Sequence, residues 1–557
     1  MSGQIRNIVR IVALFLLLLL PIFYALFTAV DLEYSWVKKI AYLTVVVVLL
    51  LLPAIFLKAR TYFIVEGIFN FFFCPIDIAS LYLNHRSTSV SFLEIILYTN
   101  KNEAVELLSS IWMICIVVII LWIIYFVLAS RVGNTYLLGK RMQKVLYILI
   151  PSFGIIGFVL MLGFNIYMYP TKDTKSMIVD SFYSVKAKFY KIYPYNLYLE
   201  LYDIARNNYH QHQMQKQIES FCFNISKHIP EQPALYILVI GETARYDHFG
   251  INGYSRTTTP LLSQVPNLIS YDSMYTQANF TSYSIPLLLT RATADEPEEA
   301  YKERSISEAF QEAGYCAGFI SKQVPSNLTR RIMRECEYAH SYTKGIDEED
   351  NYDEEMIEQL ANWQLDTAMF VIMHSLGCHF RYEWRYPADF ALYQPTLGKT
   401  FSYLMIAEEN KDKLVNAYDN AILYTDYFLY QLINYMDRLN RPAMMLYISD
   451  HGESFWDDER KLSLHGAYEI SEYEYHVPMF VWYSDEYAAI YPNKVQAMQH
   501  NKTTPISSDV VFYSLLDLAD IEDIVDSTRS IASESLLPMD TIWVQTGSGE
   551  RQKMALR

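Results

Sequence analysis

The sequence predicts a helical membrane domain followed by an α/β domain on the outer side of the membrane. The first 170 residues contain five apolar stretches long enough to cross a bilayer. Further along, two apolar runs with the pattern of buried strands each end in residues of the types that bind metals. Residues 230 to 545 are enough for one sizeable α/β domain. We therefore expect a multi-pass membrane protein whose chemistry lies in its carboxyl-terminal half.

The apolar stretches are predicted to be transmembrane helices rather than buried helices of a soluble protein. Runs such as Leu16–Leu20 and Val45–Leu50 have no polar face to present to water. The third stretch carries Glu66 and Asp77, and we expect Asp77 to lie near the end of its helix. The five predicted spans are Ile8–Val30, Ile40–Leu57, Tyr62–Leu83, Ile111–Ala129 and Val145–Tyr169.

Basic residues in the short loops predict the orientation of these spans. Most of them fall on one face, which should be cytoplasmic, while Lys38 and Lys39 fall on the other. Five spans then place everything after Tyr169 outside the cytoplasm. The residues on the cytoplasmic face are Arg6, Arg10, Lys58, Arg60, Arg131, Lys140, Arg141 and Lys144.

Composition supports a division of the chain into four parts. These are a membrane domain (1–170), an interfacial helical linker (171–229), a catalytic domain (230–547) and a carboxyl-terminal tail (548–557). Within the linker, the aromatic and basic stretch Ser176–Ile218 suits the level of the lipid headgroups. The acidic stretch Asp347–Glu355 is interpreted as a solvated loop. The net charge of −16 argues against a nucleic-acid partner.

Four cysteines lie in the part of the chain predicted to be exported, where disulfides can persist. Cys316 and Cys336 flank a segment with the pattern strand–loop–strand and are the expected pair. The other two are Cys222 and Cys378, and the connectivity of the four stays open.

Two strand ends predict a metal site. The apolar run Met444–Ile448 is followed by Ser449-Asp450-His451-Gly452-Glu453-Ser454, and Ala234–Ile240 is followed by Gly241-Glu242-Thr243-Ala244-Arg245. A carboxylate oxygen and an imidazole nitrogen delivered to one point suit Zn²⁺. An Asp-His-Gly triplet alone also occurs in ordinary turns. Two buried strands that both end in metal-type ligands favour a site over two turns.

A candidate nucleophile lies between these strands. In the segment Asn279–Thr290, polar residues give way to an apolar run, as at the start of a buried helix. Taken alone, Thr281 would be interpreted as a helix cap. Beside two metal-binding strands, its hydroxyl becomes a candidate nucleophile that coordination can activate.

At this point the chain resembles a known family, the bacterial phosphoethanolamine transferases, which are membrane members of the alkaline-phosphatase and sulfatase superfamily. The resemblance rests on the two strand ends, five predicted spans and an ordered set of further motifs, and it implies an α/β/α sandwich for the catalytic domain. These motifs are Asn252-Gly253-Tyr254-Ser255-Arg256, Thr281-x-x-Ser284-x-Pro286, His374-Ser375-Leu376-Gly377-Cys378-His379, Leu464-His465-Gly466 and His476-Val477-Pro478-Met479-Phe480.

The resemblance implies roles for individual residues. It assigns Zn²⁺ to Glu242, Thr281, Asp450 and His451, with Thr281 also the nucleophile. It places four more residues around the transferred phosphoryl group or a second metal ion: catalytic His379 and His465, and substrate-binding Glu453 and His476. His374 is assigned instead to a hydrogen-bonded structural position.

One feature of the membrane half also matches the family. Thr99 and Glu103 are four residues apart and would share a helix face. The resemblance implies that they grip the headgroup of the lipid donor, with Glu103 complementing its ammonium. A short amphipathic interfacial helix without that role is the alternative.

The implied activity is transfer of phosphoethanolamine from phosphatidylethanolamine to an envelope glycolipid, best assigned as lipid A, at the bacterial inner membrane with the catalytic domain in the periplasm. Transfer to another surface glycan, or a related transferase making a polyglycerophosphate polymer, stays open. A sulfatase would need an arginine that the segment Ser284–Leu288 lacks. A non-enzymatic membrane scaffold would not need Glu242, Asp450 and His451 together.

Overall fold

The structure is a computed structural model of the chain. It describes residues 3–28, 36–84, 88, 93, 112–168, 193, 196–202, 204–206, 218, 220–323, 327–342, 351–363, 366–399, 405–466, 469–547 and 549–556. The chain divides into two compact units, one built from the helices of the first 208 residues and the other from the strands and helices that follow.

In the part of the first unit that the structure describes, five helices overlap the predicted spans. Among the described residues, Gln4–Thr28 and Ala59–Leu81 are long and apolar enough to cross a membrane, and Ile116–Ser130 is a shorter apolar stretch. The amino-terminal part of the chain is therefore an apolar helical unit. Its helices are α1 (Gly3–Thr28), α2 (Trp36–Leu50), α3 (Ala59–Asn84), α4 (Trp112–Ser130) and α5 (Lys140–Met168).

The second helix differs from the predicted span Ile40–Leu57. It begins earlier, at Trp36, and ends at Leu50. The chain then enters a short 3₁₀ turn, Pro53–Ile55, because proline has no N–H with which to continue an α-helix. A helix of 15 residues is about 22 Å long, which is less than the hydrocarbon thickness of a bilayer.

The second unit is built on a seven-stranded sheet with strand order β2-β10-β7-β1-β6-β4-β5. The strands β7, β1, β6, β4 and β5 are parallel to one another, and β10 runs antiparallel to both of its neighbours. The bounds are β1 (Leu235–Gly241), β2 (Leu268–Tyr271), β3 (Met274–Tyr275), β4 (Cys316–Ser321), β5 (Tyr338–Ser341), β6 (Met369–His374), β7 (Ala443–Ser449), β8 (Ser454–Phe455), β9 (Ser463–Leu464) and β10 (Met479–Tyr483).

Helices cover both faces of this sheet, so that the domain has three layers. Every residue of β1 and of β7 is buried, as expected of parallel strands with both faces covered. Alternate residues of β1 contribute to two separate hydrophobic cores, with Leu238 in one and Val239 in the other. The α/β class is confirmed, and so are the two buried strands, β1 and β7, that the sequence predicts. The helices are α6 (Thr281–Leu289), α7 (Ile306–Ala313), α8 (Asn327–Glu335), α9 (Glu355–Ala361), α10 (Lys411–Asp437), α11 (Glu472–Tyr475), α12 (Asp485–Ile490), α13 (Pro492–Asn501) and α14 (Val510–Leu518).

Small strand pairs complete the domain. Strand β3 pairs with β11 (Ile506–Ser507), β8 pairs with β9, and β12 (Thr541–Gln545) pairs antiparallel with β13 (Arg551–Ala555). Strand β13 lies within the stretch predicted as a carboxyl-terminal tail.

The expected disulfide between Cys316 and Cys336 is not formed, and both residues are free thiols. The reason is the sheet that separates them: Cys316 packs against the core on one face and Cys336 against the core on the other. The segment between them also contains helix α8 rather than a plain loop. Cys222 and Cys378 are free as well.

The prediction that the acidic stretch Asp347–Glu355 is a solvated loop is wrong at the carboxyl-terminal end of that stretch. Asp353 is buried, with an exposed fraction of 5%, and its carboxylate accepts the backbone N–H groups of Leu376 and Gly377 at 2.8 and 2.9 Å. Glu355 begins helix α9. Asp353 thus fixes the loop that follows β6 and leads to His379.

Truncation in the sheet should destabilise the domain. Leu446 is fully buried in β7, and Leu446→Ala should lower the free energy of unfolding by about 2–5 kcal/mol, since it removes apolar contacts and leaves a cavity. Leu392 is 64% exposed, and Leu392→Ala is the matched control, with an expected change under about 0.5 kcal/mol. Denaturant unfolding of the purified protein, followed by tryptophan fluorescence, measures both. Equal stability of the two variants would contradict this packing.

A candidate metal centre and active site

The register of two adjacent parallel strands brings the predicted ligands together. Gly241, the last residue of β1, lies level with Ser449, the last residue of β7. The backbone N–H of Asp450 donates to the Gly241 carbonyl at 3.0 Å, which continues the pairing by one step. Carboxyl ends of parallel strands meet at one edge of a sheet, where α/β proteins commonly bind ligands. Glu242 and the Asp450-His451 pair therefore leave the sheet at the same place.

Glu242, Asp450 and His451 form a compact group. All three are fully buried, and one potential ligand atom from each lies within 4.8 Å of the others. His451 Nε2 is 3.5 Å from Glu242 Oε1 and 3.5 Å from Asp450 Oδ2. Burial alone would lower the pKa of His451, but the Asp450 and Glu242 carboxylates outweigh it and raise that pKa. The three sequence-predicted ligands thus face one point.

Hydrogen bonds from the surrounding chain orient these side chains. His451 Nδ1 lies 2.9 Å from the Gly452 carbonyl, so it carries the ring proton and leaves Nε2 available as a ligand. Asp450 Oδ1 accepts the backbone N–H groups of His451 and Thr243 at 2.8 and 3.1 Å. Thr243 adopts a positive φ of 59°, which is unusual for a β-branched residue. The backbone strain at Thr243 aims its N–H at Asp450.

The chemistry of this group fits a divalent metal ion such as Zn²⁺. Asp450 Oδ2 is buried and has no hydrogen-bond partner among the described residues, although its sister oxygen has two. A buried carboxylate oxygen without a donor is costly unless a cation takes that place. Two carboxylates and one imidazole nitrogen are a common protein ligand set for zinc. A fourth ligand is needed to complete a tetrahedral site.

Thr281 lies beside the three metal-type ligands. Its Oγ1 lies 3.1 Å from His451 Nε2 and 3.3 and 3.4 Å from the two carboxylate oxygens of Glu242. It is the first residue of α6, and no side chain caps the helix at the preceding Phe280. The N–H groups at the start of a helix favour negative charge, either on a deprotonated hydroxyl or on a phosphoryl group.

Gln323 belongs to the site and was not predicted. Its Nε2 donates to Glu242 Oε2 at 2.6 Å and to the Ser375 carbonyl at 3.0 Å, so it orients the Glu242 carboxylate. Gln323 follows β4, whose end lies on the same edge of the sheet as those of β1 and β7. The sequence signal was the apolar run of β4 that ends in polar residues.

Glu453 and His465 lie beside the metal ligands. His465 Nδ1 is 3.0 Å from Glu453 Oε1, and the His465 ring packs on the His451 ring with centroids 4.1 Å apart. Burial raises the pKa of Glu453 to about 8 and lowers the pKa of His465 to about 3. Tyr382 donates its hydroxyl to Glu453 Oε2 at 2.8 Å. Near neutral pH, Glu453 therefore holds a proton and His465 is neutral.

His374 is the last residue of β6, and His379 lies in the loop after that strand. His379 is half-buried, and its Nδ1 is 3.2 Å from the Phe380 carbonyl. Burial lowers the pKa of each histidine to about 4, with the nearby Glu242 carboxylate acting in the opposite sense. The expectation of a hydrogen-bonded His374 is wrong, since neither ring nitrogen has a hydrogen-bond partner within the described parts of the chain.

His476, which the sequence predicts to bind substrate, makes its contacts outside the group of metal-type ligands. His476 stacks between Tyr246 and Tyr275, with ring centroids at 4.1 and 4.7 Å, and its Nε2 is 3.1 Å from the Asp272 carbonyl. These contacts do not include Thr281 or the three metal-type ligands. Thr99 and Glu103 lie outside the described residues.

Glu474, like Asp353, is a buried carboxylate whose role the sequence did not predict. It accepts from Asn279 Nδ2 at 2.6 Å and from Ser454 Oγ at 2.7 Å. Burial raises the pKa of Glu474 to about 8. Because Asn279 precedes α6 and Ser454 follows the Asp450-His451 loop, Glu474 ties the Thr281 segment to the loop that carries two ligands.

Known proteins resemble this chain over about half of its length. A Kdo(2)-lipid A phosphoethanolamine 7''-transferase of Escherichia coli K12 is 31% identical over 264 residues, 45% of this chain and 44% of that protein. Phosphoethanolamine transferase EptA of Escherichia coli O157:H7 is 30% identical over 318 residues, 52% of this chain and 53% of that protein. The chain thus spans about half the length of these curated relatives.

A solved structure and a family model extend the comparison. The integral membrane lipooligosaccharide phosphoethanolamine transferase A (EptA) of Neisseria meningitidis covers 92% of this chain and 97% of its own, with a TM-score of 0.64 and 20% identity. The zinc complex of the periplasmic domain of EptC from Escherichia coli covers 60% and 94%, with a TM-score of 0.52 and 24% identity. Both likenesses show the fold. The sequence model of the sulfatase family matches residues 234–521, more than half of the 557 residues. The chain belongs to the sulfatase family.

Proposed function

We propose that this protein is a metal-dependent transferase that moves phosphoethanolamine from phosphatidylethanolamine to lipid A through a covalent intermediate on Thr281. The observation that carries the proposal is the position of Thr281 Oγ1, within 3.4 Å of both Glu242 oxygens and of His451 Nε2. A hydroxyl at that place is positioned as a nucleophile rather than as a helix cap. The names of the Escherichia coli and Neisseria meningitidis relatives support both the transferred group and the acceptor class.

In this proposal, Glu242, Asp450, His451 and Thr281 hold one Zn²⁺. When bound, the ion would supply Lewis-acid polarisation that makes a threonine hydroxyl nucleophilic near neutral pH. Thr281 Oγ1 attacks phosphorus, and its proton passes to Glu242, whose nearer oxygen is 3.3 Å away. The bond from phosphorus to the diacylglycerol oxygen breaks. Phosphoethanolamine is then ester-linked to Thr281. In the second step an acceptor oxygen attacks phosphorus and gives its proton to Glu453, while the bond from phosphorus to Thr281 Oγ1 breaks and Oγ1 takes back the proton held by Glu242.

The neighbouring residues have complementary roles. Neutral His465 and His379 donate N–H groups to phosphoryl oxygens, since burial keeps the pKa of both well below neutrality. Protonated Glu453, 3.0 Å from His465, supplies the proton for the departing diacylglycerol alkoxide. Glu453 and His465 are also the residues to which we assign a second metal ion, should one bind. We assign substrate contacts to His476, Thr99 and Glu103 as well.

The membrane arrangement is part of the proposal. Five spans near Ile8–Val30, Ile40–Leu57, Tyr62–Leu83, Ile111–Ala129 and Val145–Tyr169 hold the protein in the bacterial inner membrane. The linker (171–229), the catalytic domain (230–547) and the tail (548–557) then lie on the periplasmic side. A membrane anchor suits an enzyme whose donor is a lipid. Adding an amine to lipid A would lower the negative charge of the envelope and its attraction for cationic peptides.

Removal of one ligand tests the metal assignment. Asp450→Ala should reduce bound zinc to less than about a tenth of the wild-type content, since loss of a ligand carboxylate leaves three groups to hold the ion. Elemental analysis of the purified, membrane-extracted protein gives the zinc content. Asp412 is exposed, and Asp412→Ala is the matched control that should keep full zinc. Full zinc in the double variant Asp450→Ala, His451→Ala would overturn the ligand set.

Replacement of the nucleophile tests the chemistry. Thr281→Ala should lower transfer by about a thousandfold or more while zinc remains bound, because the variant lacks the attacking oxygen Oγ1. Thr281→Ser keeps a hydroxyl and should retain measurable transfer. Release of diacylglycerol from a fluorescent phosphatidylethanolamine is the readout. The neighbouring Ser282 is exposed, so Ser282→Ala should behave as wild type. Substantial transfer by Thr281→Ala would show that another residue is the nucleophile.

A tag accessibility experiment tests the orientation. A tag placed after Arg557 should be reachable by protease in spheroplasts, because five spans with a cytoplasmic amino terminus place the catalytic domain outside. An amino-terminal tag on the same protein is the control and should be protected. Protection of the carboxyl-terminal tag would show that the number of spans is even.

A further inference from the structure

The carboxyl-terminal hairpin, formed by β12 and β13, reaches the active site of the second unit. Gln545, the last residue of β12, donates its backbone N–H to the Gln277 carbonyl at 2.8 Å, and its carbonyl accepts the Asn279 N–H at 3.1 Å. Asn279 lies two residues before Thr281. The hairpin is therefore paired with the segment that leads to the proposed nucleophile, although the chemistry proposed above uses none of its residues.

One face of the hairpin is anchored in the domain. Ile542 and Val544 of β12 are 5% and 0% exposed and belong to one apolar cluster with Tyr275, Ile470 and Tyr475. The two strands pair with each other over five residues each. Burial of apolar side chains and the ladder of hydrogen bonds together fix the position of the hairpin against the domain.

Gly547, which follows β12, lies directly against the backbone of Gly466. A Cβ atom on Gly547 would overlap the Gly466 carbonyl oxygen and would lie 2.7 and 2.8 Å from the carbonyl carbon and Cα of Gly466. Non-bonded carbon atoms sit about 3.5–4.0 Å apart, so one methyl group here requires a backbone shift of about 1 Å. The φ of Gly547 is outside the left-handed region. Close approach to Gly466, and not backbone conformation, is therefore what excludes a side chain at this position.

Gly466 follows His465, the residue proposed to contact the phosphoryl group. His465 Nδ1 is 3.0 Å from Glu453 Oε1, and its ring lies 4.1 Å from that of His451 between centroids. Strand β9, which leads to His465, is only two residues long and pairs with the equally short β8. A segment held by so short a ladder is easily displaced, and the Gly547 backbone gives it a further rigid contact.

The segment that carries Thr281 is tied down more firmly than the one that carries His465. On either side of Thr281, the hydroxyls of Thr276 and Ser284 both donate to the Asp450 carbonyl at 2.7 Å. These bonds attach the nucleophile segment to the loop of metal-type ligands. A displacement that begins at Gly547 should therefore fall on His465 and leave Thr281 in place.

We propose that Gly547 is a positioning residue, which sets the place of the His465 ring beside His451 and Glu453 through its backbone contact with Gly466. The carboxyl-terminal hairpin is then part of the frame of the active site. The consequence for phosphoethanolamine transfer rests on the proposed function. The coupling between the hairpin and the residues around Gly466 does not, so the two can fail separately.

Hydrogen–deuterium exchange of the full chain tests the coupling without an activity assay. In Gly547→Ala, the peptide that contains Leu464–Gly466 should exchange about tenfold faster than in wild type, while the peptide that contains Glu242 should not change. Lys553 is exposed on β13, and Lys553→Ala is the control that should leave both peptides unchanged. Unchanged exchange around Gly466 in Gly547→Ala would overturn the proposal. Should that variant fail to fold, Ile542→Ala, which loosens the base of the hairpin and adds no atom at the contact, decides by the same readout.

A double-mutant cycle on transfer tests whether Gly547 acts through His465. Gly547→Ala should keep full zinc and lower kcat about ten- to a hundredfold with little change in KM, because a displacement of about 1 Å misplaces a group that contacts the phosphoryl oxygens. In the His465→Ala background the same substitution should lower kcat by less than about threefold, since the group that it displaces is already absent. Equal losses in the two backgrounds would overturn the positioning role. Absence of transfer by the wild-type protein would refute the proposed function instead, and the exchange experiment then decides the coupling.

Discussion

Buried negative charge at the edge of the sheet is the constraint on which the site depends. The level register of β1 and β7 places the carboxylates of Glu242 and Asp450 in a region without solvent, close to each other. Two like charges there repel strongly unless a cation or a proton separates them. Gln323 and the Thr243 hydroxyl donate to the two oxygens of Glu242, whereas the backbone N–H of Thr243 reaches only Oδ1 of Asp450. Asp450 Oδ2 keeps no such partner among the described residues, and a metal ion bound by Glu242, Asp450 and His451 would supply one.

Sequence reasoning predicted the parts of the site that short, local sequence patterns indicate. A buried strand followed at once by metal-type ligands is visible in ten consecutive residues, and both such strands were found where expected. Gln323, Asp353 and Glu474 were missed because their roles depend on partners far away in sequence. An acidic run looks solvated whether or not one of its members is buried. The Cys316–Cys336 pairing failed for a related reason: spacing along the chain does not say which face of a sheet a side chain occupies.

In the membrane unit, too, features that depend on a local sequence pattern were predicted, and contacts between residues far apart in sequence were not. Helices of the described residues overlap the five apolar stretches of the sequence, two of them are long and apolar enough to cross a membrane, and Pro53 accounts for the early end of α2. The polar residues of α3 were visible in the sequence as exceptions. Asn196, which donates a hydrogen bond to Asp77, comes from the stretch after α5 and was not foreseeable.

The central claim is that Thr281 itself carries the transferred group. Its most direct test is to incubate the purified full chain with phosphatidylethanolamine and no acceptor, quench in acid, digest, and map adducts by tandem mass spectrometry. The account predicts one phosphoethanolamine on the peptide that contains Thr281, located on that residue, and its disappearance when lipid A is added. Diacylglycerol release with no adduct on Thr281 at any time, or an adduct on another residue, would contradict it.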